Sequence, residues 1–234
     1  MNETAILMAA GLGSRMKPLT DTVAKPLVKV NGVPLIETVI AALNRRGVAE
    51  IDVVTGYKSE QFCYLPVKYG NLNLVFNSEY ATKNNINSIA VIAERMKQSD
   101  CFVCEADLFL PNADVLCRSF DRSGYFGKMV LGHSDDWVFD TDATGRITRV
   151  GKGGTDCFNM VGISYFKAAD SEKIANGVLT AVKKPENAQL FWDEVVDRLV
   201  KDGDLNLVVH EVTPEDIVEC DTVDDLEKLE ARLK

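Results

Sequence analysis

The chain has 234 residues, 46% hydrophobic and 26% charged, which excludes a disordered or fibrous protein. A formal charge of −9 argues against a nucleic-acid binder held by a broad basic face. No stretch has the length and apolarity of a membrane helix, and MNETAILMAAG lacks the basic start of a secretory signal. A soluble cytoplasmic protein forming one domain over residues 1–234 is expected.

In the first half, short apolar runs alternate with amphipathic stretches. Thr4 to Ala9 reads as a strand, and Leu35 to Leu43 as a helix with a basic last turn stopped by Gly47. Ile51 to Thr55 is a strand, Glu60 to Leu65 a short helix and Leu72 to Phe76 a strand. Ile86 to Met96 then reads as a helix and Cys101 to Ala106 as a strand. Such alternation implies parallel strands joined by right-handed crossovers.

The second half changes character. Lys128 to Leu131, Trp137 to Thr141 and Ile147 to Val150 are short β runs, the last two joined by an Asp-Ala-Thr-Gly turn. Phe158 to Phe166 is a further strand. The helices Ala168 to Val182 and Leu190 to Lys201 are separated at Pro185; Leu205 to Val212 is a strand, and Thr222 to Leu233 a closing helix. The expected fold is α/β: a Rossmann-like mixed, mainly parallel sheet with helices on both faces and a small antiparallel insertion late in the chain.

Six cysteines are scattered along the sequence, and only Cys101 and Cys104 are close. They lie on an expected strand, where residues three apart face opposite sides, so they cannot share a metal. The two histidines, His133 and His210, have no partner at ligand spacing.

The most informative segment is AAGLGSRMKPLTDTVAKPLVKV, which leaves the first strand. Gly11 and Gly13 permit close backbone approach, and their N–H groups, with those of Ala9 and Ala10, can cradle anionic oxygens. Ser14 adds a hydroxyl; Arg15 and Lys25 add cations. The spacing fits neither the dinucleotide fingerprint nor the P-loop.

From Ala9 to Val28 this run resembles the signature of the nucleoside-triphosphate-dependent nucleotidyltransferases, roughly LAAGxGTRLxPLTxxxPKxLxxV. Ser14 stands for the usual threonine, Met16 for leucine, and Ala24-Lys25-Pro26 for Pro-Lys. Within that family the chain looks most like the bacterial CTP:phosphocholine cytidylyltransferases. The likeness lies in GYKSEQFCYLPVKYGNLNLVFNSEYATKNNINSI, EADLFL, GISYF, FWDEVV and ECDTVDDLEKLE. It implies attack of an acceptor phosphate oxygen on the α-phosphorus of CTP, with Arg15 and Lys25 as the catalytic cations. It also implies Mg2+ held by Asp107 and Asp221, and CTP contacted by Asn84, Asn85 and Ser88, with Tyr57 a weaker candidate. Taken as residues alone, Asp107 also reads as a turn aspartate, and Asp221, Asn84, Asn85 and Ser88 as helix caps.

Trp137, Tyr165, Phe191 and Trp192 fall in segments that the resembling enzymes use around choline. A quaternary ammonium has no N–H donors and is hosted by aromatic faces, whereas a primary ammonium needs acceptors, which Asp135, Asp136 and Asp193 could supply. Adjacent helix residues point about 100° apart, so only one of Phe191 and Trp192 should face a ligand, and Trp192 is favoured. Lys152 is a candidate for the acceptor's phosphate or phosphonate.

Phosphocholine is the first acceptor on this reading, with 2-aminoethylphosphonate and phosphoethanolamine as alternatives. A sugar-1-phosphate nucleotidyltransferase and a non-catalytic nucleotide-binding domain stay open, and a homodimer is compatible with all of them.

Overall fold

The computed structural model describes residues 3–233. The first half holds β1 (Glu3–Ala9), β2 (Lys29–Val30), β3 (Val33–Pro34), α1 (Leu35–Arg46), β4 (Glu50–Thr55), α2 (Leu65–Lys68), β5 (Leu72–Phe76), α3 (Ile86–Ala90), α4 (Ala93–Met96), β6 (Asp100–Glu105) and β7 (Leu108–Phe109). The second holds β8 (Gly124–Thr141), β9 (Ile147–Phe166), α5 (Ala168–Ala181), α6 (Trp192–Lys201), β10 (Val208–Glu211), β11 (Val218–Glu219) and α7 (Val223–Arg232). Among the described residues no helix is long and apolar enough to cross a membrane.

Seven strands form one sheet in the order β10-β8-β9-β6-β1-β4-β5. β6, β1, β4 and β5 are parallel, while β9 runs antiparallel to both β6 and β8. The period of two along each strand feeds two cores. Ala5, Leu7, Phe102 and Cys104 pack on the α1 side with Ile36, Val39 and Ile40. Ile6, Cys101 and Val103 pack on the other side with Ile89, Ile174 and Val196. The two cysteines of the close pair therefore face opposite layers.

The first crossover helix, α1, shows how the sequence sets an element. Leu35, Ile36, Val39, Ile40 and Leu43 form one buried stripe, each side chain contributing about 1.5–3 kcal/mol by burial. Gly47 ends the helix at φ 86, a left-handed value that other residues rarely adopt, and Val48 N–H closes onto Leu43 O at 3.1 Å.

Four expectations change, the first being the Glu60–Leu65 helix, which is a 3-10 turn over Ser59–Phe62 followed by α2. The short β runs of the second half are continuous, paired from Gly124↔Tyr165 to Thr141↔Ile147 through several register shifts. Bulges interrupt the alternation from which strand length is read. The antiparallel insertion is thus a long ribbon integral to the sheet. Its β9 meets β6 up to Cys104↔Ile163, so the residues before Ile163 run beyond the carboxyl end of the parallel strands.

The expected Ile86–Met96 helix is two short ones, α3 and α4, broken at Ile92, whose ψ is 0°. Ile86, Ile89, Ile92, Ala93 and Met96 nonetheless share one core, so the periodicity reported burial across an interrupted hydrogen-bond ladder. The last expected strand shrinks to β10, and Leu205 and Leu207 are buried outside any strand.

Candidate active site

The loop between β1 and β2 crosses the carboxyl ends of the parallel strands, where open α/β sheets bind ligands. Gly13 has φ 63, and a Cβ there would lie 2.8 Å from Lys25 Cβ, so two folds of the loop touch only because this residue is glycine. Thr20 Oγ1 donates to Gly13 O at 2.9 Å, and Tyr57 OH donates to Thr20 O at 2.9 Å. Tyr57 N–H reaches Ala10 O at 3.1 Å. Gln61 braces the lysine's approach: its Oε1 accepts from Ala24 N–H and its Nε2 donates to Thr22 O, both at 2.9 Å.

This loop borders a cavity of about 270 Å³ lined by Ala9, Gly11, Gly13, Ser14, Arg15, Lys25, Asp107 and Asp221, among others. Asp107 follows β6, and Asp221 follows β11, which pairs with β7 and so brings the distant aspartate alongside. Lys25 Nζ donates to Asp107 Oδ2 at 2.5 Å and Asp221 Oδ1 at 2.6 Å; Arg15 Nη2 reaches the same Asp221 oxygen at 2.7 Å.

Burial works against the Lys25 charge, but the two aspartates outweigh it and raise its pKa. Burial likewise opposes the Asp221 charge, yet Lys25 and Arg15 hold its carboxyl below the usual range. The helix cap beside it is Thr222, paired with Asp225 in a capping box, which leaves the Asp221 carboxylate to the cavity.

Two further acids stand beside the pair. Glu219 is pushed up to about 8 by burial and by the Asp221 and Asp107 charges. Glu105 is raised strongly, by burial first and then by its acidic neighbours. Asp107 Oδ1 is buried without a hydrogen-bond partner. Among the described residues no three His, Cys, Asp or Glu side chains are arranged to hold a metal ion. Two carboxylates with substrate phosphates and water nevertheless suffice for Mg2+, and the orphaned oxygen fits such a donor set.

The residues expected to contact CTP are drawn into the fold. Asn84 Oδ1 accepts from Asn85 N–H at 2.7 Å and its Nδ2 donates to Gln189 O at 3.1 Å. Asn85 Oδ1 accepts from Trp192 N–H at 3.0 Å. Ser88 is buried, its Oγ accepting from Asn77 Nδ2 at 3.2 Å.

The expected acceptor residues do not form one pocket. Trp192 is 3% exposed, stacked on Tyr125 and edge-on to Phe166 in the core. This corrects the choice between the adjacent aromatics: Phe191 faces outward and meets Trp137 at 5.3 Å between ring centroids. Lys152 Nζ lies 5.9 Å from the Trp137 ring centre and 5.4 Å from that of Phe191, beside a cavity of about 450 Å³.

Tyr165 is also corrected. It is buried, and its hydroxyl contacts Glu3 and Asp100, both at 3.0 Å, where β1 and β6 begin. That is the opposite end of the sheet from the cavity. Asp136 is exposed and accepts from Asn159 Nδ2 at 3.0 Å; Asp135 pairs with His133.

Asp193 is buried and accepts from Tyr125 OH at 3.1 Å; burial pushes its carboxyl up to about 7. It borders a small internal void with Glu105 and Met8, and Met8 also lines the loop cavity. Gln61, Glu105 and Glu219 carry no role expected from the sequence, although they lie in the segments GYKSEQF, EADLFL and ECDTVDDLEKLE that carry the family resemblance.

Residues 5–140 match the family model described as the MobA-like NTP transferase domain. The 2-aminoethylphosphonate cytidylyltransferase of Lancefieldella rimae is 49% identical over 222 residues, covering 95% of this chain and 89% of that protein. The chain belongs to the MobA-like NTP transferase family.

Other members match over similar lengths. The choline-phosphate cytidylyltransferase of Streptococcus pneumoniae is 35% identical and is covered, like this chain, to 98%. The solved structure of CTP:phosphocholine cytidylyltransferase from Streptococcus pneumoniae superposes with a TM-score of 0.89 at 33% identity, covering 100% of both chains. The inositol-1-phosphate CTP transferase from T. maritima, at 18% identity and a TM-score of 0.75, shares the fold. The fold and the family expected from the sequence are thereby borne out, and the two near-full-length relatives named here are cytidylyltransferases.

Proposed function

We propose that this NTP transferase joins CTP to a small amino-alcohol phosphonate or phosphate, with 2-aminoethylphosphonate as the first acceptor. The observation that carries the reaction is the Arg15–Asp221–Lys25–Asp107 cluster in the signature-loop cavity. An acceptor oxygen attacks the α-phosphorus of CTP in line; the bond to the β-phosphate breaks and pyrophosphate leaves. A phosphonate acceptor gives a CMP-phosphonate, a phosphate acceptor a CDP-alcohol.

Arg15 and Lys25 neutralise charge that grows on the phosphates as that bond breaks. The loop N–H groups orient the triphosphate, which turns an encounter into a positioned reaction. Asp107 and Asp221 would hold Mg2+, whose chemistry there is to draw the phosphate oxygens together and offset their charge.

The acceptor assignment rests on the relatives, 49% identical for the phosphonate enzyme against 35% for the choline-phosphate one. This moves the first choice away from phosphocholine. Phosphocholine remains the second reading because the Trp137–Phe191 pair offers faces that suit an ammonium without N–H groups.

The deciding experiment is pyrophosphate release with the four ribonucleoside triphosphates. The acceptors are 2-aminoethylphosphonate, phosphocholine, phosphoethanolamine and several sugar-1-phosphates. CTP with 2-aminoethylphosphonate should give the highest kcat/KM. Preference for a sugar-1-phosphate, or no release with any pair, would overturn the proposal.

A further inference from the structure

The two aspartates at the loop cavity already hold a cation, and it is the chain's own. Lys25 Nζ sits between Asp107 Oδ2 and Asp221 Oδ1, at 2.5 and 2.6 Å, and the lysine is only 7% exposed. A divalent ion taking the free Asp107 Oδ1 and the same Asp221 carboxylate would stand beside the Lys25 ammonium, and like charges that close in a buried site repel.

The site is also short of positive charge and donors on one side, since Asp107 Oδ1 is buried with no partner. Lys25 Cβ is held against Gly13, and beyond it runs a flexible chain with a point charge at the end.

We infer that Lys25 is the resident counter-ion of the metal site: it must leave the two aspartates before a divalent ion can take its place. A buried ammonium deprived of its partners is costly, so Lys25 leaves only when other anionic oxygens receive it. The triphosphate supplies them in the same cavity, so the nucleotide and the metal should each favour the other's entry, by the same factor. This inference rests on the proposed reaction, because that reaction brings the phosphates.

The test uses Mn2+ alone as probe, without nucleotide or acceptor, titrated by electron paramagnetic resonance into the full chain. Wild type should bind Mn2+ weakly. Lys25→Met and Lys25→Gln should bind it about tenfold or more tightly, a typical size for coupled sites, and their Tm should rise with Mn2+ while that of wild type does not. Adding Asp107→Asn to Lys25→Met should remove the gained binding.

Three results overturn the exchange: variants that bind no more tightly than wild type, a gain that survives Asp107→Asn, or micromolar Mn2+ binding by wild type. The last needs no variant to fold. CTP turnover by wild type is measured separately, so a failed exchange with turnover intact leaves the proposed reaction standing.

Discussion

The proposed nucleotide side and the proposed acceptor side of this molecule are assembled in different ways. On the nucleotide side, one loop carries Gly13, Ser14, Arg15 and Lys25, and two strand ends supply Asp107 and Asp221. All of these point into one cavity. On the acceptor side, the aromatic and acidic candidates come from a bulged ribbon and the start of α6, and they separate. Trp137, Phe191 and Lys152 face outward, Asp193 and Trp192 face inward, and Tyr165 belongs to the far end of the sheet. Residues strung along one loop keep their places through changes in strand register, whereas residues spread over a ribbon and a helix depend on it.

The largest expected effect tests whether Trp192 belongs to the fold. Trp192→Ala should cost about 3–5 kcal/mol of stability in urea unfolding, as for other buried aromatics. A variant as stable as wild type but defective in acceptor binding would return Trp192 to the pocket.

Next comes Asp193, through pH. Its folded pKa is about 7 against an ordinary 3.8. Between those values the unfolded chain has lost a proton that the folded chain keeps, so stability falls as pH rises through that window. At 1.36 kcal/mol per unit, the upper bound is about 4 kcal/mol. Asp193→Asn lacks this slope and should gain on wild type between pH 4 and pH 8 in paired urea melts. Parallel pH profiles would place the carboxylate in water.

The nucleotide side is probed by Asp107→Ala. It should retain its fold and lose about 100- to 1,000-fold in kcat for the CTP reaction, the scale seen when a group stabilising transition-state charge is removed. Wild-type turnover by the folded variant would falsify its assigned role.

The smallest effect sharpens the acceptor side. Phe191→Ala and Trp137→Ala should each weaken acceptor binding by roughly 0.5–2 kcal/mol, the range of cation–π contacts, while KM for CTP is unchanged. If the two substitutions act on CTP instead, the aromatic pair is a nucleotide wall.

Much of the fold was legible because burial leaves a period in the sequence. The stripe of α1 and the continuous apolar runs of β1 and β6 are both readable as residue patterns. The α3–α4 break was not, because Ile86, Ile89, Ile92 and Met96 keep their stripe where the backbone hydrogen bonds do not. The pairing of β11 with β7 decides that Asp221 meets Asp107, and no local pattern encodes so distant a contact. The loop signature pointed to it only through resemblance. At Phe191 and Trp192 the helical angle gave the right question, one in and one out. The answer came from tertiary packing, with Tyr125 and Phe166 forming a slot for the indole.

The alternation along β6 has a use of its own. Cys101 and Cys104 place one thiol in each layer of the sandwich, and burial raises the pKa of both, that of Cys101 to about 12. Neither can react until its own layer opens, whereas Cys63 and Cys117 stand exposed and react at once. The native chain therefore contains two built-in clocks. Alkylation rates read separately at Cys101 and Cys104 would show whether the α1 layer and the α5–α6 layer breathe together or apart.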